Sequence, residues 1–244
     1  MKKLNRIIPL VAASALMLTA CSSTTTSEEK KPETKPAATA SAPATQTPEG
    51  AKDIVDGEEV DLATNTRAQD PDKFPAAPTP PRYVDEHPAP KEVPPHGEEL
   101  VMLAKKMQEK NPESKEGLYN ILKQSGVADY TDEDILWAVN NLGVDWNEVA
   151  CDAAIAYQKL MPHSQRELFE ILYSQPASFT VDEARYAVKN AKIDWNQVAL
   201  EWAKHIKKDK PEMSDEELYN YLVQVGGPEY SPEQAKWAVE HLNQ

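Results

Sequence analysis

Cysteine is almost absent from the chain: Cys21 and Cys151 are the only two. The first closes an export-type leader, so the disulfide framework that staples many small exported domains has no pair of thiols to build on. Cys151 is left to pack as a small apolar residue in a helix. Positive charge is scarce as well. From His96 onward, fifteen Lys and Arg stand against twenty-six Asp and Glu, a net of −11. A DNA-binding face needs clustered cations to release phosphate counterions, so nucleic acid is excluded as a partner. Catalytic signatures are missing too: the sequence has no Gly-rich phosphate loop, no His-Glu-x-x-His, no Gly-x-Ser-x-Gly, and its five histidines are scattered. No enzyme activity, cofactor or small-molecule substrate is expected. His87, His96, Glu98 and Glu99 can be drawn as a metal cluster, but they fall in a proline-rich stretch and the first turn of a helix, and no metal site is expected there. Long apolar runs are lacking. The stretch from Ile7 to Leu18 is too short to span a bilayer as a helix.

What that short run does fit is a secretory signal, with basic residues ahead of it and Thr19 and Ala20 behind it. Leu18-Thr19-Ala20-Cys21 resembles the lipobox of bacterial lipoproteins. The resemblance implies cleavage after residue 20, diacylglycerol and a further acyl chain such as palmitate on Cys21, and a membrane anchor on the outer face of a membrane. One acyl chain holds weakly and two or three hold well. Residues 21–95 then read as a disordered tether of Ser, Thr, Ala and Pro, with thirteen of the twenty prolines and no tryptophan. A flexible chain of this length has a typical reach of roughly 50 Å, and about 200 Å when drawn into polyproline geometry.

The remainder aligns with itself three times at a period of about fifty residues. SKEGLYNIL at Ser114, SQRELFEIL at Ser164 and SDEELYNYL at Ser214 form one register. TDEDILWAVNNL at Thr131, TVDEARYAVKNA at Thr180 and SPEQAKWAVEHL at Ser231 form the second. Apolar residues at i, i+3, i+4 (Leu118, Ile121, Leu122; Leu168, Ile171, Leu172; Leu218, Tyr221, Leu222) predict a buried helical stripe in each unit. Ser164–Glu167, Thr180–Glu183, Ser214–Glu217 and Ser231–Gln234 read as capping boxes, the last with proline at the first helical position. Asp145–Glu148 and Asp194–Gln197 read the same way. The expected fold is all-α: three tandem repeats of three short helices, at 96–144, 145–193 and 194–244. Trp137, Tyr186 and Trp237, each before Ala-Val, are expected repeat-core residues.

Asp145-Trp146 and Asp194-Trp195 fall where the last helix of one unit gives way to the first of the next. Three units have two such junctions. The first unit carries His96 at the position of Trp146, with only tether ahead of it. A catalytic motif has no reason to be missing where a neighbour is missing, so the two Asp-Trp pairs are expected to form inter-repeat seams.

These residues resemble a known family. Pro162, Ser164 and Leu168, then Thr180, Asp182, Ala184, Tyr186, Ala187 and Val188, then Ile193, Asp194, Trp195, Asn196 and Ala199 are similar to the Ltp-type repeat of host cell surface-exposed lipoproteins. The likeness runs from about Gly97 to Gln244. The first unit departs from it with Trp137 in place of the tyrosine, and the third with an extra residue before Ser214. The resemblance implies helix-turn-helix-like modules in monomeric lipoproteins that bind a protein partner and act in superinfection exclusion, obstructing DNA entry by an incoming phage. The competing expectation is a structural or adhesive envelope lipoprotein holding a cell-wall or host component.

Overall fold

The computed structural model describes residues 52–55, 58–61, 70–125 and 130–243. The leader, Cys21 and most of the N-terminal half of the tether lie outside the described residues. A short antiparallel hairpin, β1 (Lys52–Val55) with β2 (Glu58–Asp61), pairs Lys52 with Asp61 and Val55 with Glu58. Among the described residues every regular element after it is a helix, and none of these helices is long and apolar enough to cross a membrane.

Among the described residues, nine helices after the proline-rich stretch fall into three groups. Unit 1 is α2 (Gly97–Gln108), α3 (Lys115–Gln124) and α4 (Asp132–Asn140). Unit 2 is α5 (Trp146–Leu160), α6 (Gln165–Tyr173) and α7 (Val181–Asn190). Unit 3 is α8 (Trp195–Asp209), α9 (Asp215–Val223) and α10 (Pro232–Glu240). In each unit the first helix lies along the third. Small residues permit that close approach: Ala104, Ala154 and Ala203 on the first helices, and Ala138, Ala187 and Ala238 on the third, are all fully buried. The second helix adds Leu118 with Leu122, Leu168 with Leu172, and Leu218 with Leu222, each at most 2% exposed. Full burial of one such leucine stabilises by roughly 1.5–3 kcal/mol.

Helix starts follow the sequence. Ser164 with Glu167, Thr180 with Glu183, Ser214 with Glu217, Ser231 with Gln234, and also Thr131 with Asp134 form reciprocal capping boxes. Asp145 and Asp194 cap their helices but close no box: Asp145 accepts the Asn147 amide, and Asp194 those of Asn196 and Gln197. Their third residues are occupied elsewhere, because Glu148 accepts the Tyr186 hydroxyl at 3.1 Å and the Gln197 amide reaches Glu201.

The periodicity overstated one position. Ile121 is exposed, while Ile171 and Tyr221 are only half-buried. The ring one residue after the first leucine is turned inward instead, with Tyr119 2% and Phe169 0% exposed. On helices of nine or ten residues the buried stripe is centred between those two neighbours, so the third apolar residue sits at its edge.

The expectation of a disordered tether reaching residue 95 is corrected from Asp70 onward. Pro71–Lys73 forms a single 3₁₀ turn, and Tyr83–Glu86 forms the short helix α1. Phe74 is 1% exposed in the core of unit 2, and Val84 4% exposed in that of unit 1. Two apolar anchors suffice to fix a stretch whose proline content lowers the entropy lost on ordering it. Residues 70–95 therefore form a strap laid across the first two units.

Candidate binding surface

The strap is held by side chains from both units it crosses. On unit 2, the Arg185 guanidinium donates to the Phe74 carbonyl at 3.1 Å, Lys189 pairs with Asp72 at 2.5 Å, and the Ala77 amide donates to the Tyr173 hydroxyl. The Phe74 ring lies 5.5 Å from that of Phe169, with the Arg166 guanidinium over it. Farther along, Arg82 bonds the Ser178 carbonyl and reaches Glu183 at 3.5 Å. On unit 1, the Val84 amide donates to the Glu116 carboxylate at 3.1 Å, and the Tyr83 ring stacks on Tyr119 at 4.8 Å. Lys123 lies over both those rings and donates to the Tyr119 hydroxyl and to Asp132. Burial pushes the Tyr119 hydroxyl up to about 12. A cleft of about 570 Å³ remains between the strap and the turn joining α6 to α7, with Arg82, Asp85 and Glu116 on its wall.

Of the four junction residues, the two tryptophans fall between cores, while Asp145 and Asp194 are exposed helix caps. Trp146, with Val144, packs against the cores of units 1 and 2. Trp195, with Ile193, packs against those of units 2 and 3. Both indoles are half-buried. His96 is half-buried too: its amide donates to Asp134 at 2.9 Å and its ring meets the edge of Tyr130.

Trp137, Tyr186 and Trp237 stand at the rims of the cores rather than inside them, and all three are half-buried. Each needs a polar outlet for its hydroxyl or indole N–H, and the alanine that follows it fills the closely packed interior. Tyr186 bonds Glu148, Trp237 stacks on His241 at 4.0 Å, and Trp137 lies over Gly97. A Cβ on Gly97 would stand 2.6 Å from Cε3 of Trp137.

One repeated device escaped the sequence reading. The Gln108 amide both donates to and accepts from the backbone of Glu113 at 2.7 Å, and Gln158 does the same with His163. In unit 3, Lys207 reaches the Met213 carbonyl instead. Glutamine at the same register in two units was the available signal.

No reactive centre emerges from these groups. The Cys151 thiol is buried, and burial together with the Glu148, Asp152 and Asp145 carboxylates pushes it up to about 11. A thiol that stays protonated is a poor nucleophile. Among the described residues no group of three or more His, Cys, Asp or Glu side chains is arranged to hold a metal ion. His96 sits 3.6 Å from Glu99, and His87 is stacked on Tyr83.

Such a strapped series of three-helix units is a tandem all-helical repeat protein. Residues 145–191 and 194–242 each match the model of the host cell surface-exposed lipoprotein family. The family that these two segments match is one of lipoproteins exposed on the host cell surface. The two matched segments begin at Asp145 and Asp194, the helix-capping aspartates of units 2 and 3. No curated protein and no solved structure matches the chain.

Proposed function

We propose that the chain is anchored through lipidated Cys21 on the outer face of a bacterial membrane and uses its helical units to bind a protein partner. That partner belongs to the DNA-injection machinery of an incoming phage, and binding obstructs DNA entry. The match of two consecutive units to surface-exposed lipoproteins carries this reading. The chain's balance of −14 favours a partner with a basic contact face.

The activity depends on position. Tethering supplies the effective concentration at the entry site, and a released module is diluted away from it. Wild type and Cys21→Ala are displayed in a susceptible host and challenged with a phage panel, with plaque counts, adsorption and cytoplasmic phage DNA measured. Protection after normal adsorption, lost in Cys21→Ala, is the expected outcome. Reduced adsorption points to receptor masking, and unchanged plaque counts across the panel point to an envelope-binding role.

A further inference from the structure

The strap makes the same contact twice. Tyr119, Phe169 and Tyr219 occupy one repeat position, each five residues after its capping serine, Ser114, Ser164 or Ser214. In unit 1 the ring is covered by Tyr83 of the strap, and in unit 2 by Phe74. The described strap starts at Asp70 on unit 2 and runs toward unit 1, so it offers no ring to unit 3. Tyr219 is left only half-buried, and among the described residues no ring stacks on it. The second residue of the same helix repeats the pattern. Glu116 accepts the strap's Val84 amide and Arg166 covers the Phe74 ring, whereas Glu216 is exposed.

We propose that the Tyr219 face of α9 is a docking site for an extended segment of a partner protein, one that presents a single aromatic side chain beside a proline or an arginine. The two occupied positions define that chemistry, since Phe74 is followed by Pro75 and Tyr83 is preceded by Arg82. Residues 1–69 contain no Phe, Tyr or Trp, so the chain's own N-terminal stretch has no ring to offer at this position. A second copy is a poor source, since its Phe74 is already committed to its own unit 2. This inference rests on the protein-binding reading above and assigns the contact to one face. A docked ring would gain stacking on Tyr219 and burial of both rings, with Glu216 placed to accept an amide as Glu116 does.

The probe is a synthetic peptide with the sequence of residues 70–88, titrated into the unlipidated mature chain starting at Ser22 and followed by amide chemical shifts. Saturable changes confined to α9 and α10 are expected. Replacing both aromatic residues of the peptide by alanine, or Tyr219→Ala in the protein, should weaken binding about tenfold or more. Circular dichroism of Tyr219→Ala checks that the helices persist, and Tyr219→Phe, which keeps the ring, should bind as wild type does. Absence of shifts, or shifts in α3 and α6 alone through exchange with the strap, overturns the proposal. Phage-protein capture that is undiminished by Tyr219→Ala also overturns it while leaving the protein-binding reading intact; failure of wild type to capture any protein removes that reading itself.

Discussion

Phe74→Ala tests whether the strap is part of the folded array in solution. The ring is 1% exposed, 5.5 Å from Phe169 and covered by Arg166. Truncating a fully buried phenylalanine costs about 3–5 kcal/mol when the rest of the structure stays in place. Here the loss has a ceiling, because the strap can leave. Once the docking energy of residues 70–77 is exceeded, it detaches, and unit 2 retains its own helices with Phe169 newly exposed. Global unfolding, followed by helix circular dichroism in urea, should therefore fall by about 2–4 kcal/mol. Amide exchange should show lost protection at Ala77, whose N–H is held by Tyr173. The control is Lys73→Ala, whose side chain is 65% exposed and pairs only at the surface with Asp70; it should stay within about 0.5 kcal/mol of wild type. A Phe74→Ala chain with unchanged midpoint and unchanged exchange at Ala77 would refute the strap.

Three further perturbations probe the array. Trp146→Ala and Trp195→Ala should each cost about 2 kcal/mol, roughly half the value for a fully buried aromatic since both indoles are half-buried, and should broaden the urea transition as coupling between units weakens; wild-type behaviour in both removes the seam proposal. His96→Ala should be neutral within about 0.5 kcal/mol, whereas Gly97→Ala next to it should lose about 1–2 kcal/mol by forcing Trp137 outward, and equal thermal midpoints for the pair would contradict the close contact. Burial pushes the Asp134 carboxyl up, but hydrogen bonds from the Thr131 hydroxyl and amide and the His96 amide outweigh it and hold the group below its ordinary 3.8. Because the unfolded chain then binds this proton first, the contribution is complete above about pH 4 and is lost as pH falls through the folded value. Asp134→Asn should accordingly flatten the acid limb of a stability-versus-pH curve, and an identical limb would count against the assignment.

The helical caps were legible because they are local: a hydroxyl and a carboxylate three residues apart need no tertiary partner to make their bonds. The alanines and leucines of the core were legible through repetition. What escaped was whatever depended on residues far apart in the chain. Phe74 and Val84 lie in a stretch without apolar periodicity, and only Phe169 and the neighbourhood of Glu116, some thirty or more residues away, explain their burial. Trp137, Tyr186 and Trp237 were assigned to the core on hydrophobicity, yet helix packing gave the interior to the smaller residue beside each. The Asp-Trp pairs stood out because they are missing from one place in a threefold pattern; Trp146 and Trp195 lie half-buried against two cores each, while Asp145 and Asp194 are exposed helix caps.

The strap also sets the route by which mechanical force enters the protein. Tension applied through the proposed anchor at Cys21 would meet Asp72, Phe74 and their partners on unit 2 before any helix of the three units. It arrives at the end of a segment bound through side chains, so contacts are loaded one after another, as in peeling, and not all together in shear. Release would proceed from Phe74 through Arg82 to Tyr83 and Val84, and would add up to about 90 Å of extended chain. The helical units would remain folded behind it. A sudden pull at the surface is thus absorbed as length, with the Phe169 and Tyr119 rings uncovered only while the load lasts.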